Sequence, residues 1–273
     1  MTNLIKTEWL KIKGYNAFWW IMGLTALSYP GINYIFYQIY HDLTGRKNAT
    51  GQLSKLVLGN PFSFPENWHT VAYASSIFVF IPAVVVIMFI SNEYTFRTHR
   101  QNIIDGWSRR QFITSKLIDV VIVSLLVTVL CFLAALIAGL TNSGDTSGNY
   151  WNGIQYIGLF GLQTFAQLSI AFLIGFLVRK AFIALGIFIF YYLILENIMV
   201  GWSKFKLNDA GRFLPFEMSD RMIPPPTFMS KFGTPEQYQA ALNNIPLYLG
   251  LSLAFTSVLW FICYYMNSRR DLK

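Results

Sequence analysis

The chain has 273 residues, 54% of them hydrophobic and only 12% charged, with a net charge of +8. Soluble domains run near about 25% charged residues, so half that share together with a mean hydropathy of +0.43 excludes an ordinary soluble globule. Nucleic-acid binding is a poor reading of the positive balance, because the cations flank apolar runs instead of forming a continuous patch.

A hydrocarbon layer of about 30 Å needs roughly 20 apolar residues at about 1.5 Å each. Six runs meet that length: 17–40, 71–91, 117–140, 154–178, 181–200 and 245–266. The expected fold is an all-α integral membrane protein, one transmembrane domain over 1–273 with six transmembrane helices. The first run is too long for a signal peptide and lacks a small-residue cleavage site, so it reads as a retained span.

Ahead of that run, residues 3–14 set Ile5, Trp9 and Ile12 at helical spacing with Lys6 and Lys13 opposite, then reach Gly14. This predicts a short basic amphipathic elbow helix lying under the headgroups, with Glu8 and Lys11 spaced for a weak surface pair. Trp19, Trp20, Trp68, Tyr73, Tyr150, Trp151, Trp202, Tyr264 and Tyr265 bunch at the predicted interfaces, where amphipathic rings anchor spans.

Residues 92–116, between the second and third runs, hold Arg97, Arg100, Arg109, Arg110 and Lys116. Glu93–Asp105 contains no Pro or Gly and spaces Phe96, Arg100, Ile103 and Ile104 as a helix, which Gly106 can close in the left-handed conformation. Ser108 with Gln111 three residues on is a capping-box pattern, and Phe112, Ile113 and Leu117 carry that second helix into the third span. The pattern predicts helix, a Gly106–Trp107–Ser108 corner, helix. From charge alone, anionic lipid is its partner; the stop and cap in the right order favour a protein groove.

Small residues four apart in the third run (Ala134/Ala138, Ala135/Gly139) allow close helix packing, within one monomer or across a dimer seam. Gln163 and Gln167 share one face of the fourth run, either as interhelical hydrogen-bond donors or lining a substrate path. Glu196 is a carboxylate near the far end of the fifth run, where intramembrane acids are functional candidates. With Lys204 in reach, it is either a structural anchor or a proton relay. In the long loop 201–244, Thr234-Pro235-Glu236-Gln237 is a helix start and predicts a short helix through 238–242.

Thirteen of the 21 Lys and Arg fall inside if the N-terminus is cytoplasmic, which places both termini there. Cys131 and Cys263 lie mid-run and read as packing residues. No G-x-x-x-x-G-K-[ST] and no H-E-x-x-H occurs, and His41, His69 and His99 are widely separated. The chain therefore offers no catalytic or metal-binding constellation and is not expected to be an enzyme.

Glu93, Thr98 with Arg97 and Arg100, a hydrophobic pair, Gly106-x-Ser108-Arg109, Phe112 and Lys116 together resemble the coupling segment of type-2 ABC exporter permeases. The basic elbow, Leu195-Glu196-Asn197 and Phe213-Leu214-Pro215 are similar to that family as well, so the resemblance covers nearly the whole chain. Arg97 before Thr98 departs from the commoner E-x-x-x-G-T form. The resemblance implies a permease in a bacterial cytoplasmic membrane that exports a hydrophobic or amphipathic substrate. It implies a homodimer or a related heteromer with two copies of a separate ABC ATPase, which would carry ATP and Mg; this chain would bind no cofactor. The coupling residues it implies are Glu93, Arg97, Arg100, Ile103, Ile104, Asp105, Gly106, Trp107, Ser108, Arg109, Arg110 and Phe112. Charge-assisted ATPase contacts would come from Arg97, Arg100, Arg109 and Arg110, and packing into the ATPase from Trp107 and Phe112. The competing readings are an ATPase-independent transporter or channel using Glu196, and a non-transporting membrane scaffold.

Overall fold

The computed structural model describes residues 2–45, 59–143, 150–230 and 234–269, and every regular element among them is helical. Of the residues weighed for orientation, Arg46, Lys47, Lys55, Lys231, Arg270, Asp271 and Lys273 lie outside the described residues, as does the side chain of Ile5. Helix α1 is Thr2–Lys13, and a turn at Gly14 leads into α2, Asn16–Thr44. Then come α3 (Asn67–Ser76), α4 (Phe80–Thr95), α5 (Thr98–Ile104), α6 (Arg109–Asn142) and α7 (Gln155–Val178). Helix α8 runs Ala181–Lys206; α9 (Pro215–Asp220), α10 (Thr227–Ser230) and α11 (Pro235–Asn243) are short, and α12 is Ile245–Arg269.

Among the described residues, four helices are long and apolar enough to cross a membrane: α6, α7, α8 and α12. The expected second span is not one rod but the pair α3 and α4, bent by 49°. Pro82 explains the break. Its ring lacks an N–H and crowds the carbonyl four residues back, at Phe78, so the helix cannot run through 77–79. The expected first span corresponds to α2, which is long enough at 29 residues but not apolar enough to qualify. Trp, Tyr, Asn and a mid-helix Pro30 dilute its aliphatic content. Among the described residues, four helices and one bent pair thus have the length and apolar character of a span, against the six runs expected from the sequence.

Helix α7 is the centre of the bundle, with 61% of its most apolar window buried against 22% for α8. It packs on α3, α4, α6 and α12. Gly175 lets α4 come close, since a Cβ there would lie 2.5 Å from Ile90 Cγ2. Gly139 similarly receives the ring of Phe64, and Ala135 is fully buried, so this small-residue face packs within the monomer. Cys131 and Cys263 are buried and not in a disulfide. Trp68 is 1% exposed and stacked between Phe132 and Trp151, so it belongs to the core and is no headgroup anchor. Trp19, Trp20 and Trp202 do face outward.

The bundle has two polar ends. The corner end carries residues 92–108 and the α1 helix; the loop end carries residues 201–244, with α9 packed on α7, α8 and α12.

Candidate functional site

The corner is built by three backbone devices. Helix α4 ends at Thr95, and Arg97 takes the left-handed conformation (φ 55°), so the expected continuous helix from Glu93 to Asp105 is two helices. The broken turn is repaired by side chains: Thr98 Oγ1 donates to Glu93 Oε2 at 2.5 Å, and His99 Nδ1 meets the Glu93 carbonyl at 3.0 Å. Helix α5 then stops as expected. Gly106 has φ +99°, the Trp107 N–H donates to Asn102 O and the Gly106 N–H to Ile103 O, which is a complete Schellman closure. Ser108 opens α6 with both capping-box bonds present.

The corner residues divide sharply by exposure. Arg97, Asp105, Gly106, Ser108 and Arg110 are exposed, Ile104 is 83% exposed, and Phe96 stands out at 71%. Arg100, Ile103 and Trp107 are half-buried, with Lys11 Nζ 5.8 Å from the Trp107 ring centre. Phe112 is 1% exposed and lies in the bundle core, so it cannot pack into a partner as expected. Arg109 is also committed internally: its Nη1 donates to Ser268 O at 2.9 Å, while Asn267 Nδ2 donates to Arg109 O at 2.8 Å. It fastens the start of α6 to the last turn of α12, whose C-terminal carbonyls welcome a cation.

Glu93 is likewise buried, and it belongs to a network that sequence reasoning did not assemble. Lys116 Nζ lies 2.6 Å from Glu8, 2.8 Å from Glu93 and 3.1 Å from Asp119. Lys11 lies 3.0 Å from Glu93 and 3.3 Å from Glu8. Glu8 and Lys11 do pair, but with Glu8 buried and Lys11 half-buried, not as a surface pair. Burial works to raise the Glu8 carboxyl; Lys116 and Lys11 outweigh it and hold it below its ordinary value. The α1 face that packs inward therefore carries Glu8 and Ile12, while Trp9 and Leu10 face outward. The three-residue spacings Glu8/Lys11 and Lys116/Asp119 were visible in sequence. Their convergence from three helices was not. A cavity of about 240 Å³ opens beside the network.

At the loop end, Gln163 and Gln167 each donate to Asp220 Oδ1, at 2.6 and 2.7 Å, and Gln167 also donates to Ser219 Oγ. They act as interhelical hydrogen-bond donors that tie α9 to α7. Glu196 follows a π-helical turn at Tyr191–Leu195 and accepts the Glu217 N–H at 2.7 Å, close to the start of α9. Its anchor is thus a helix N-terminus, and no ion pair to Lys204 forms. Arg221 pairs with Glu217 at 2.7 Å and Asp209 at 3.1 Å. Sequence reasoning missed Asp220 because nothing in its local pattern announces the two amides that reach it.

The sequence profile of ABC-2 family transporter proteins matches residues 4–195. The chain belongs to the ABC-2 transporter family. The match spans α1 through the π turn of α8, and therefore the corner and its buried network. As an ABC-2 family member the chain is a multi-pass membrane permease of an ABC-type transporter, and such permeases in general work with an ABC ATPase. Comparison with curated protein sequences gave no match.

Proposed function

We propose that this ABC-2 permease is the membrane half of an ATP-driven exporter in a bacterial cytoplasmic membrane, with both termini cytoplasmic. Its corner docks on a separate ATPase that holds ATP and Mg, and the permease itself is no enzyme and binds no cofactor. The observation that carries the reading is the rigid presentation of α5. A left-handed entry, a Schellman exit and a capping box hold a seven-residue helix at the end of the bundle, with His99 turned inward. Two exposed apolar side chains flank it, Phe96 in the turn before it and Ile104 at its end, beside Arg97 and Arg110. Exposed apolar anchors ringed by arginines suit a protein groove with acidic rims.

Helix α2 serves as the remaining span, its aromatic rings lying along lipid, and the exposed apolar face of α8 suits lipid or a second permease copy in a complex with two ATPases. Motion of the docked corner passes to the spans as a rigid body through α6, which continues unbroken from Arg109 to Asn142. The substrate is hydrophobic or amphipathic in this reading.

Co-purification tests it. The chain expressed with an ABC ATPase subunit from the same genome should bring that subunit down in stoichiometric amount, and Phe96→Ala with Ile104→Asp or Arg110→Glu should release it. An assembly that survives these changes, or a permease that purifies alone and transports without ATP, sinks the reading.

A further inference from the structure

The loop end contains two clefts, of about 290 and 550 Å³, that adjoin at Tyr73, Glu217, Asp220 and Ile223 on either side of α9. Their combined size falls in the range of small-molecule sites, roughly 300–1,000 Å³. Charge in this space is unbalanced. Asp209, Glu196, Glu217 and Asp220 face it with Arg212 and Arg221. Arg221 is taken by Asp209 and Glu217, and Arg212 lies over the ring of its neighbour Phe213 at 4.8 Å. Glu196 and Asp220 are therefore met by neutral groups, amide N–H donors and, beside Glu196, the Tyr191 phenol, with no cation.

Glu196 supplies an independent sign of a missing ligand. It is 3% exposed, it lines the narrower cleft, and its Oε2 has no hydrogen-bond partner. A buried carboxylate oxygen left without a donor is costly unless something compensates it. The cleft walls beside the two acids are aromatic, with Tyr73 and Tyr192, and the mouth is apolar, with Ile77 and Leu193 about half exposed. Carboxylates plus ring faces favour an organic cation, since ammonium is drawn both to the charge and to the aromatic quadrupole. The apolar mouth suits an alkyl chain.

We infer that the loop-end cleft binds the ammonium head of a cationic amphiphile, with Glu196 and Asp220 as its counter-charges and its alkyl chain leaving past Ile77 and Leu193. This adds a ligand class to the exporter reading, and it is measured on the permease alone, so failure of ATPase coupling would leave it standing. Burial and the neighbouring acids Glu217 and Glu196 push the Asp220 carboxyl up to about 7, against the Gln163 and Gln167 amides, and a bound cation would draw it back down.

The test is equilibrium binding of decylammonium to the purified full chain in a nonionic detergent, with decyl sulfate and decanol as the anionic and neutral controls. Decylammonium should bind saturably and the controls should not. Glu196→Gln and Asp220→Asn each retain the acceptor for the existing amide bonds, so the fold should persist, and each should weaken decylammonium at least about tenfold, the equivalent of 1.4 kcal/mol. Asp42→Asn, on the exposed end of α2, should bind as wild type. Competition by added phosphatidylethanolamine, but not phosphatidylglycerol, would assign the head to a lipid; no competition by either would assign it to a soluble amphiphile. Equal binding of all three decyl compounds, or wild-type affinity in both acid variants, overturns the inference.

Discussion

The two polar ends of the bundle hold their carboxylates by different means. At the corner end, Glu8, Glu93 and Asp119 each lie against an ammonium, and Lys116 at their centre is 3% exposed. At the loop end, Glu196 and Asp220 are met by neutral groups, a backbone N–H, the Tyr191 phenol and two glutamine amides. A buried carboxylate with a matched cation is a closed structural unit, and removing one partner is costly. A carboxylate held by neutral donors keeps its charge available. The corner network therefore reads as a fastening that ties α1, α4 and α6 together, and the loop end as a place where a cation is received.

Lys116→Met should break this contrast most strongly, because it strands Asp119 in the interior and leaves Glu8 and Glu93 with only the half-buried Lys11. It should lower stability by about 3–5 kcal/mol, seen as a large fall in melting temperature in detergent, with α1 becoming protease-accessible. An unchanged melting temperature would mean that water reaches the network. At the other end, Gln163→Leu combined with Gln167→Leu should cost less, about 1–3 kcal/mol, because Asp220 retains access to the clefts. Its specific signature would be proteolysis within 207–226 while the corner stays protected.

Gly106→Ala should cost about 1–2 kcal/mol, since φ is +99° there and open space around the position leaves backbone strain as the sole penalty. A neutral result would show that the closure of α5 is not held in that conformation.

The pH dependence carried by Glu8 and by Asp220 should be opposite in sign. Glu8 sits below its ordinary value near 4.5 in the fold, so its contribution is complete above that pH and is lost as pH falls through the lower folded value. Asp220 sits above its ordinary 3.8, at about 7, so its contribution is complete below 3.8 and is lost as pH rises through about 7. Melting curves against pH should lose the acid-side decline in Glu8→Gln and lose the shallower neutral-side decline in Asp220→Asn. Contact of Asp220 with the water-reachable clefts makes the second effect the smaller. The smallest stability change belongs to Phe96→Ala and Ile104→Asp, within about 0.5 kcal/mol, although these changes should abolish ATPase association.

Local chemistry made much of the corner legible. Gly106 as a stop, Ser108 with Gln111 as a cap, and Thr234 with Gln237 as a second cap each act within a few residues, and all three formed. The break at Arg97 was not legible, because a non-glycine residue enters the left-handed region only when its surroundings repay the strain. Here Glu93, Thr98 and His99 do so. Exposure was misjudged for the same reason. Phe112 and Arg109 look like docking residues in a basic stretch, yet one faces the core and the other reaches Ser268, 159 residues away.

By itself, the sequence determined the membrane class, the helical elements, the corner's start and stop signals, and the family. These rest on periodicity, apolar length and spacings of three or four residues, all properties of a single segment. Only the tertiary structure decided which charges are buried, because burial depends on which faces of distant helices meet. That is why Glu8 and Lys116, 108 residues apart, became one network while Arg97 and Arg110 remained free to meet a partner, and why Glu196 and Asp220 came to line a cleft with no ion-pair partner of their own.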